Sequence, residues 1–317
     1  MWIFRSGRQR RLSYDYRSGV TKSGIGPVAH FALILGVFLL AGSAGVVSGE
    51  ISTRTAGRAN AQTPSSPKTS VPKPKLVTQP PVSSIADDSQ LNKIIADFAD
   101  SSSQFKWSVA VRGLDNNTVN ATYNADQSYD SASIYKLLLV YPLSQKLPFK
   151  KWSTTYLQVG RRAMSLQDCV TIMLKVSDNA CGEAVGNWVD WGYANTHLTE
   201  LGLLNTNLSS KNGSITTAGD TAMFLGRLWD GNQFDKDMRQ FILANLSQQT
   251  LRSGIPVGCS GCNVADKTGV LNGVRHDAGI IYAGDGSYIL TIFTSGASYD
   301  QIAQLTSKVQ TYMAGLL

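Results

Sequence analysis

"YDSASIYKLLLVYPL", residues 129–143, begins with small and polar residues and becomes an apolar run carrying one lysine, Lys136, near its start. The run predicts a buried helix, so a cation one turn after Ser133 requires an account. A lysine held in a dry place beside a serine loses solvation for its charged form, and its neutral amine can then take the hydroxyl proton. Alternatively, Ser133 opens the helix and Lys136 carries its ammonium out to water along an aliphatic stem. Ser-x-x-Lys also occurs at Ser65/Lys68 and Ser103/Lys106, so spacing alone does not choose between the two.

Working outward, Pro148 to Met164 reads as loop-rich. "SLQDCVTIMLKV" (165–176) and "ACGEAVGNWVDW" (180–191) read as two helices joined by Ser177-Asp178-Asn179. More helix is expected in "HLTELG" (197–202), "TAGDTAMFLGRLWDG" (217–231) and "DKDMRQFILANL" (235–246). "NVADKTGVL", "VRHDAGIIYAG" and "SYILTIFTSG" read as three strands turned at Asn272-Gly273 and Asp285-Gly286, and a helix from Tyr299 closes the chain. Upstream, "SQLNKIIADFAD" (89–100) has the apolar spacing of a helix, and "WSVAVRGL" and "VNATY" flank Asp115-Asn116-Asn117 as a hairpin. This order predicts an α/β (α+β) domain. It would have an antiparallel sheet of about five strands formed by both ends of the domain, flanked by helices, with an inserted helical subdomain.

Before Ser89 the composition changes. Residues 1–27 carry Arg5, Arg8, Arg10, Arg11, Arg17 and Lys22 against one acid, Asp15, and are expected to be a cytoplasmic tail. Residues 28–49 hold 22 positions without Asp, Glu, Lys or Arg, long enough to cross a bilayer as a helix. With the basic residues before it, this segment places the N-terminus in the cytoplasm and the rest outside, as a single-pass protein of the cell membrane. A cleaved signal, cut within "AGSAG", is the other reading of the same stretch. Residues 50–88, with six prolines, read as an extended spacer, and residues 89–317 as the folded domain. From Ser89 onward there are 18 Lys plus Arg and 18 Asp plus Glu, so the net charge of +7 belongs to the tail and spacer. That distribution suits anionic lipid or an acidic wall polymer and gives no argument for nucleic acid. Cys169, Cys181, Cys259 and Cys262 all fall in the part expected outside the cell, where two disulfides of open connectivity are expected; the C-x-x-C of Cys259 and Cys262 could instead be half a metal site or a redox pair, but no second such pair exists and His197 and His276 lack ligand spacing, so no metal is expected.

Three short motifs occur in order: Ser133-Ile134-Tyr135-Lys136, Ser177-Asp178-Asn179 and Lys267-Thr268-Gly269. The first opens a buried helix, the second joins two helices and the third lies on a strand. With "TTAGDTA" and "IPVGCSGCNVADKTG", they make the stretch from Ser89 to Leu317 resemble the serine β-lactamase and penicillin-binding superfamily, most closely its class A branch. The resemblance implies a cofactor-free serine hydrolase in which Ser133 attacks a carbonyl and Lys136 takes its proton. Ser177 then passes a proton to the leaving nitrogen and Lys267 tunes that relay. It also implies that Asn179 holds a substrate amide, that Thr268 with Lys267 binds the substrate carboxylate, and that Gly269-Val270 brings a backbone N–H which, with that of Ser133, holds the oxyanion. Arg275 and His276, on the next strand, are further candidates for the carboxylate. Asp178, Asn179 and Lys267 also have plainer readings, as helix caps and an exposed strand residue.

One departure matters. Class A enzymes carry a glutamate on a loop before the T-T-x-x-D segment, which activates the water that frees the acylated serine. The domain has only two glutamates. Glu183 lies one turn into the helix after Asn179, outside that loop, and Glu200 stands in "HLTELGLLN", which matches the preceding helix better. A membrane-anchored, extracytoplasmic enzyme is therefore expected, monomeric and acylated by β-lactams or D-Ala-D-Ala-type peptides but slow to deacylate. An efficient class A β-lactamase and a non-catalytic penicillin-sensing or wall-binding module are the alternatives.

Overall fold

The structure is a computed structural model describing residues 88–114, 119–210, 213–284 and 286–315. The tail, anchor and spacer expectations therefore lie outside the described residues, as do the turn at Asp115-Asn116-Asn117 and Asp285 of the last hairpin. Among the described residues no helix is long and apolar enough to cross a membrane.

Helix α1 (Ser89–Ser101) precedes β1 (Lys106–Gly113) and β2 (Asn120–Tyr123). The short β3 (Tyr129–Asp130) leads into a 3-10 turn at Ala132–Ile134, then α2 (Tyr135–Leu138) and α3 (Val140–Lys146). Next come β4 (Tyr156–Val159), β5 (Arg162–Ser165), α4 (Leu166–Lys175), α5 (Asn179–Val189) and α6 (Trp191–Leu201). The chain continues through β6 (Ile215–Thr216), α7 (Ala218–Asp230), α8 (Lys236–Ser247) and α9 (Ile255–Gly258). It ends with β7 (Asn263–Leu271), β8 (Val274–Ala283), β9 (Gly286–Ser295) and α10 (Tyr299–Ala314).

The main sheet is antiparallel with strand order β2-β1-β9-β8-β7. Strand alternation divides its side chains between two apolar cores. Trp107, Val109 and Val111 of β1, with Tyr288, Leu290 and Ile292 of β9, pack against α1 and α10. Ala110, Ile289 and Phe293 face the other way, into the core built with the central helices. Helix starts follow capping chemistry: Ser165, Asp178, Asp190, Thr217, Asp235 and Ser298 each accept a backbone N–H of the first turn of their own helix.

The stretch from Pro148 to Met164 is more ordered than its composition suggests. A 3-10 turn at Phe149–Lys151 and the β4–β5 hairpin occupy it, turning at Gly160 with φ of +60°. These strands have four residues each and are largely exposed, so they lack the buried alternation that marks a strand in sequence.

Candidate active site

The three motifs meet at the junction of α2, the α4–α5 loop and β7. Ser133 lies within the 3-10 turn, just after Ala132, whose φ of +44° is unusual for a residue with a side chain. Asp130 Oδ1 accepts the Ala132 amide at 3.0 Å, and Ser131 N donates to Ser214 O at 2.8 Å, so the turn is held from both sides. Strand β7 crosses directly over it. A Cβ on Gly269 would lie 3.1 Å from Ala132 Cβ and 3.2 Å from Ser131 O, so glycine is what permits this approach.

Lys136 is wholly buried. Its Nζ lies 2.6 Å from Asn179 Oδ1, 2.6 Å from the Ser177 carbonyl and 3.1 Å from Ser133 Oγ. Burial lowers its pKa to about 8, partly opposed by Asp178. Room for it comes from α5, where a Cβ on Gly182 would stand 2.7 Å from Lys136 Cε and 2.5 Å from the Tyr135 hydroxyl. The lysine is thus held dry beside the serine and does not reach out to water.

Ser177 adopts φ of +60°, a strained conformation for serine, and presents its hydroxyl to Lys267 Nζ at 2.9 Å. Lys136 Nζ is 3.4 Å from the same oxygen. Lys267 is also fully buried and donates to its neighbour Thr268 O at 2.8 Å. Burial first, and the charge of Lys136 second, bring its pKa to about 7. Asp178 caps α5 by accepting the Cys181 amide at 2.8 Å, whereas Asn179 turns its side chain to Lys136, so the plain capping role belongs to the aspartate. Cys169 and Cys181 form a disulfide across the α4–α5 loop, and Cys259 and Cys262 form another just before β7.

Thr268 is buried on the opposite face of β7 from Lys267, and its hydroxyl donates to Gln249 Oε1 at 3.2 Å. Arg275 and His276 separate by strand parity. β8 pairs Val270 with Arg275 and Thr268 with Asp277, so Arg275 lies on the Thr268 face, half-buried, with Nη1 donating to Ala297 O at 3.1 Å. His276 points the other way and corrects the expectation of a substrate contact. It is buried, stacked on Phe293, with Nε2 donating to Asp130 O at 2.8 Å and Nδ1 accepting Thr294 N. Burial lowers its pKa to about 4, which keeps it neutral and structural.

Ser133, Asn179 and Val270 line a cavity of about 290 Å³, with Val270 itself 53% exposed. From the segment between α6 and α7 the lining is Ser209 and Ser214, hydroxyls that carry no base. Glu200 lies on α6, 61% exposed and paired with His197 Nδ1 at 2.8 Å. Among the lining residues not read as site residues from the sequence are Tyr135, Asp130 and Glu183. The signal for Glu183 was present, because it follows Asn179 by four positions on one helix face. Among the described residues no group of three His, Cys, Asp or Glu side chains is arranged to hold a metal.

The model of the beta-lactamase enzyme family matches residues 150–313, a stretch containing Ser177, Asn179 and Lys267. Among solved structures, the chain is similar to PBP-A at 17% identity and a TM-score of 0.64, covering 73% of this chain and 98% of that one. A mutant of PBP-A, solved as an acyl-enzyme complex with penicillin G, matches equally at 17% identity and 0.64. A beta-lactamase from Sphaerobacter thermophilus DSM 20745 matches at 20% identity with a TM-score of 0.62, covering 71% of this chain and 97% of that one. The extended-spectrum beta-lactamase TLA-3 matches at 18% and 0.65, over 71% and 98% of the two chains. At these identities the likeness to solved structures is one of fold. No curated protein matches the chain in sequence.

Proposed function

The chain belongs to the beta-lactamase enzyme family, and on that premise we propose that this serine hydrolase is acylated at Ser133 by β-lactams or D-Ala-D-Ala-type peptides and deacylates slowly. The observation that carries the reading is the unbroken path Ser133 Oγ, Lys136 Nζ, Ser177 Oγ, Lys267 Nζ, with steps of 3.1, 3.4 and 2.9 Å. Neutral Lys136 takes the Ser133 proton as Oγ attacks the carbonyl carbon; the backbone amides of Ser133 and Val270 receive the developing oxyanion. As the C–N bond breaks, Ser177 gives its proton to the leaving nitrogen and is reprotonated through the lysines. Asn179 holds the substrate amide and Lys267 draws its carboxylate, while Thr268 and Arg275 lie on the other face of β7.

Release of the acyl group needs an activated water, and a positioned general base for it contributes about 10² to 10⁴ in rate. Ser209 and Ser214 on the loop side, and the paired, outward Glu200, support the lack of a loop-borne base among the described residues; the carboxylates of the lining, Asp130 and Glu183, come from other elements. An anchor at residues 28–49 and a spacer at 50–88 belong to the same reading, since they would hold the domain outside the membrane, at its peptide substrate. A second reading, efficient β-lactam hydrolysis, draws on the likeness to structures described as beta-lactamases.

A fluorescent penicillin separates the two. The full chain should take up label covalently and keep it for many minutes, with Ser133→Ala abolishing and Lys136→Ala nearly abolishing uptake. Rapid turnover of a chromogenic cephalosporin would favour the second reading. No labelling of the folded protein by any β-lactam would falsify both.

A further inference from the structure

Cys259 and Cys262 form a C-x-x-C disulfide that the acylation steps above do not use. The two disulfides of the domain sit differently in the fold. Cys169 and Cys181 are both wholly buried in the core built with the central helices, and their bond joins α4 to α5 across the loop bearing Ser177. Cys259 is buried as well, in the core packed against α1 and α10, but Cys262 is half-buried at the edge of that core. Between them Ser260 and Gly261 are exposed; Gly261 turns with φ of +88°, and a Cβ built there would meet nothing within 4 Å. Cys262 is therefore the member of the pair that solvent reaches.

The fold around this bond is held by other contacts. Cys262 N donates to Cys259 O at 3.1 Å, which keeps the turn closed without the sulfurs. The Cys259 amide donates to Ile255 O at 3.0 Å, and the adjoining Gly258 lies tight against Ala303 and Thr306 of α10. From Asn263 onward β7 is paired with β8, and Arg252 Nη1 donates to Val264 O at 3.1 Å. Once reduced, Cys259 is a small apolar thiol suited to the core in which it already sits. Opening this pair is thus a local event, whereas an attacking thiol reaches Cys169 or Cys181 only when the helices around them open.

We propose that Cys259–Cys262 is a thiol-exchange site, at which the domain reacts with an external thiol while its fold and its other disulfide stay intact. The attacking thiolate bonds to the Cys262 sulfur, the Cys259–Cys262 bond breaks, and Cys259 leaves as a thiolate that takes up a proton and stays in the core. With a monothiol the product is a mixed disulfide on Cys262. With a dithiol, the reagent's second thiolate attacks that mixed disulfide, leaving two protein thiols and the reagent oxidised to its own disulfide. Exchange here should be at least about a hundredfold faster than at Cys169–Cys181, which waits on the opening of a stable core.

The test uses the full chain with both disulfides formed, incubated with reduced glutathione or with dithiothreitol. Samples are quenched in acid, unfolded, alkylated and read by peptide mass spectrometry, while near-UV circular dichroism follows the fold. The expected result is a glutathione adduct on Cys262 and, after dithiothreitol, alkylation of Cys259 and Cys262 with Cys169–Cys181 intact and the folded signal retained. Opening of both disulfides at one rate, opening only as the folded signal is lost, an adduct on Cys259 instead, or no opening at all overturns the proposal. Penicillin labelling of Ser133 on the same samples tests the acyl-enzyme reading separately, because neither cysteine belongs to that machinery.

Discussion

Lys267 holds its ammonium 2.9 Å from the hydroxyl of Ser177, a residue 90 positions earlier in the chain. Lys136 approaches the same hydroxyl at 3.4 Å, so two buried lysines converge on one oxygen. Burial disfavours the charge on each, and the charge of Lys136 further disfavours that on Lys267. The pair therefore titrates near neutrality as a coupled unit and can pass a proton through the serine between them.

Acylation should follow a bell-shaped pH profile. Lys136, at about 8, must lose its proton to act as a base, so the rate constant should rise about tenfold per unit through the acid limb. Lys267, at about 7, must keep its proton to attract the substrate carboxylate, so the rate should fall on the alkaline side. The apex is expected between about 7 and 8, and labelling rates with a fluorescent penicillin from pH 5.5 to 9 would reveal it. A flat profile would remove Lys136 as the base.

Gly182→Ala should leave the domain folded and cut acylation by about tenfold or more, because small misplacements of a reacting group are costly in rate. The added methyl meets Lys136 Cε at 2.7 Å and the Tyr135 hydroxyl at 2.5 Å, so one of them must move. Thermal melting alongside labelling distinguishes this from unfolding. Unchanged labelling would show that α5 can shift freely.

Breaking Cys169–Cys181 with serines should cost about 2–4 kcal/mol, seen as a fall in Tm of about 5–15 °C. Breaking Cys259–Cys262 should cost less, because its partners are 3 rather than 12 residues apart and it closes a shorter loop. Equal losses would contradict the loop-entropy argument.

The Asp266–Asp277 pair should contribute a loss of stability as pH rises from about 4 to 7, against the opposite contribution of buried His276, whose pKa is lowered to about 4. Asp266 is raised to about 7, mainly by burial, and Asp277 beside it is raised well above the usual carboxylate range for the same reason. A carboxyl whose folded pKa is raised favours folding below its unfolded value near 3.8, and that contribution is lost as pH climbs through the folded pKa. Asp277→Asn keeps an acceptor for the Ile255 amide, which now lies 2.8 Å from Oδ2, while removing one charge. The variant should lessen that loss in the dependence of Tm on pH. An unchanged slope would assign it elsewhere.

Glu200→Gln should leave the lifetime of the acyl label unaltered, because the side chain is exposed and turned to His197. Prolongation of the lifetime in this variant would make Glu200 part of deacylation.

The last three strands were legible because two signals agreed: apolar residues at the strand period and an Asn-Gly turn. Asn272 and Gly273 take φ of +44° and +87°, as that turn demands. The sequence also placed the three motifs on the right kinds of element. It could not tell a snorkelling Lys136 from a dry one, since the deciding residue is Gly182, on a helix brought alongside by the tertiary fold. Arg275 and His276 looked equivalent for a different reason. Adjacent strand residues face opposite sides, and only the pairing of β8 with β7 decides which shares a face with Thr268.

Strand order also imposes a timetable. β1, among the first strands made, is sandwiched between β2 and β9, the last strand made, and β7 reaches β1 only through β8 and β9. The turn bearing Ser133 therefore emerges long before the sheet that must support Lys267 can close. A nascent chain stopped ahead of Gly286 holds all three motifs in its sequence yet lacks the strand that joins their two halves. On the proposed acyl-enzyme reading, reactivity at Ser133 should accordingly appear only after β9 has been made.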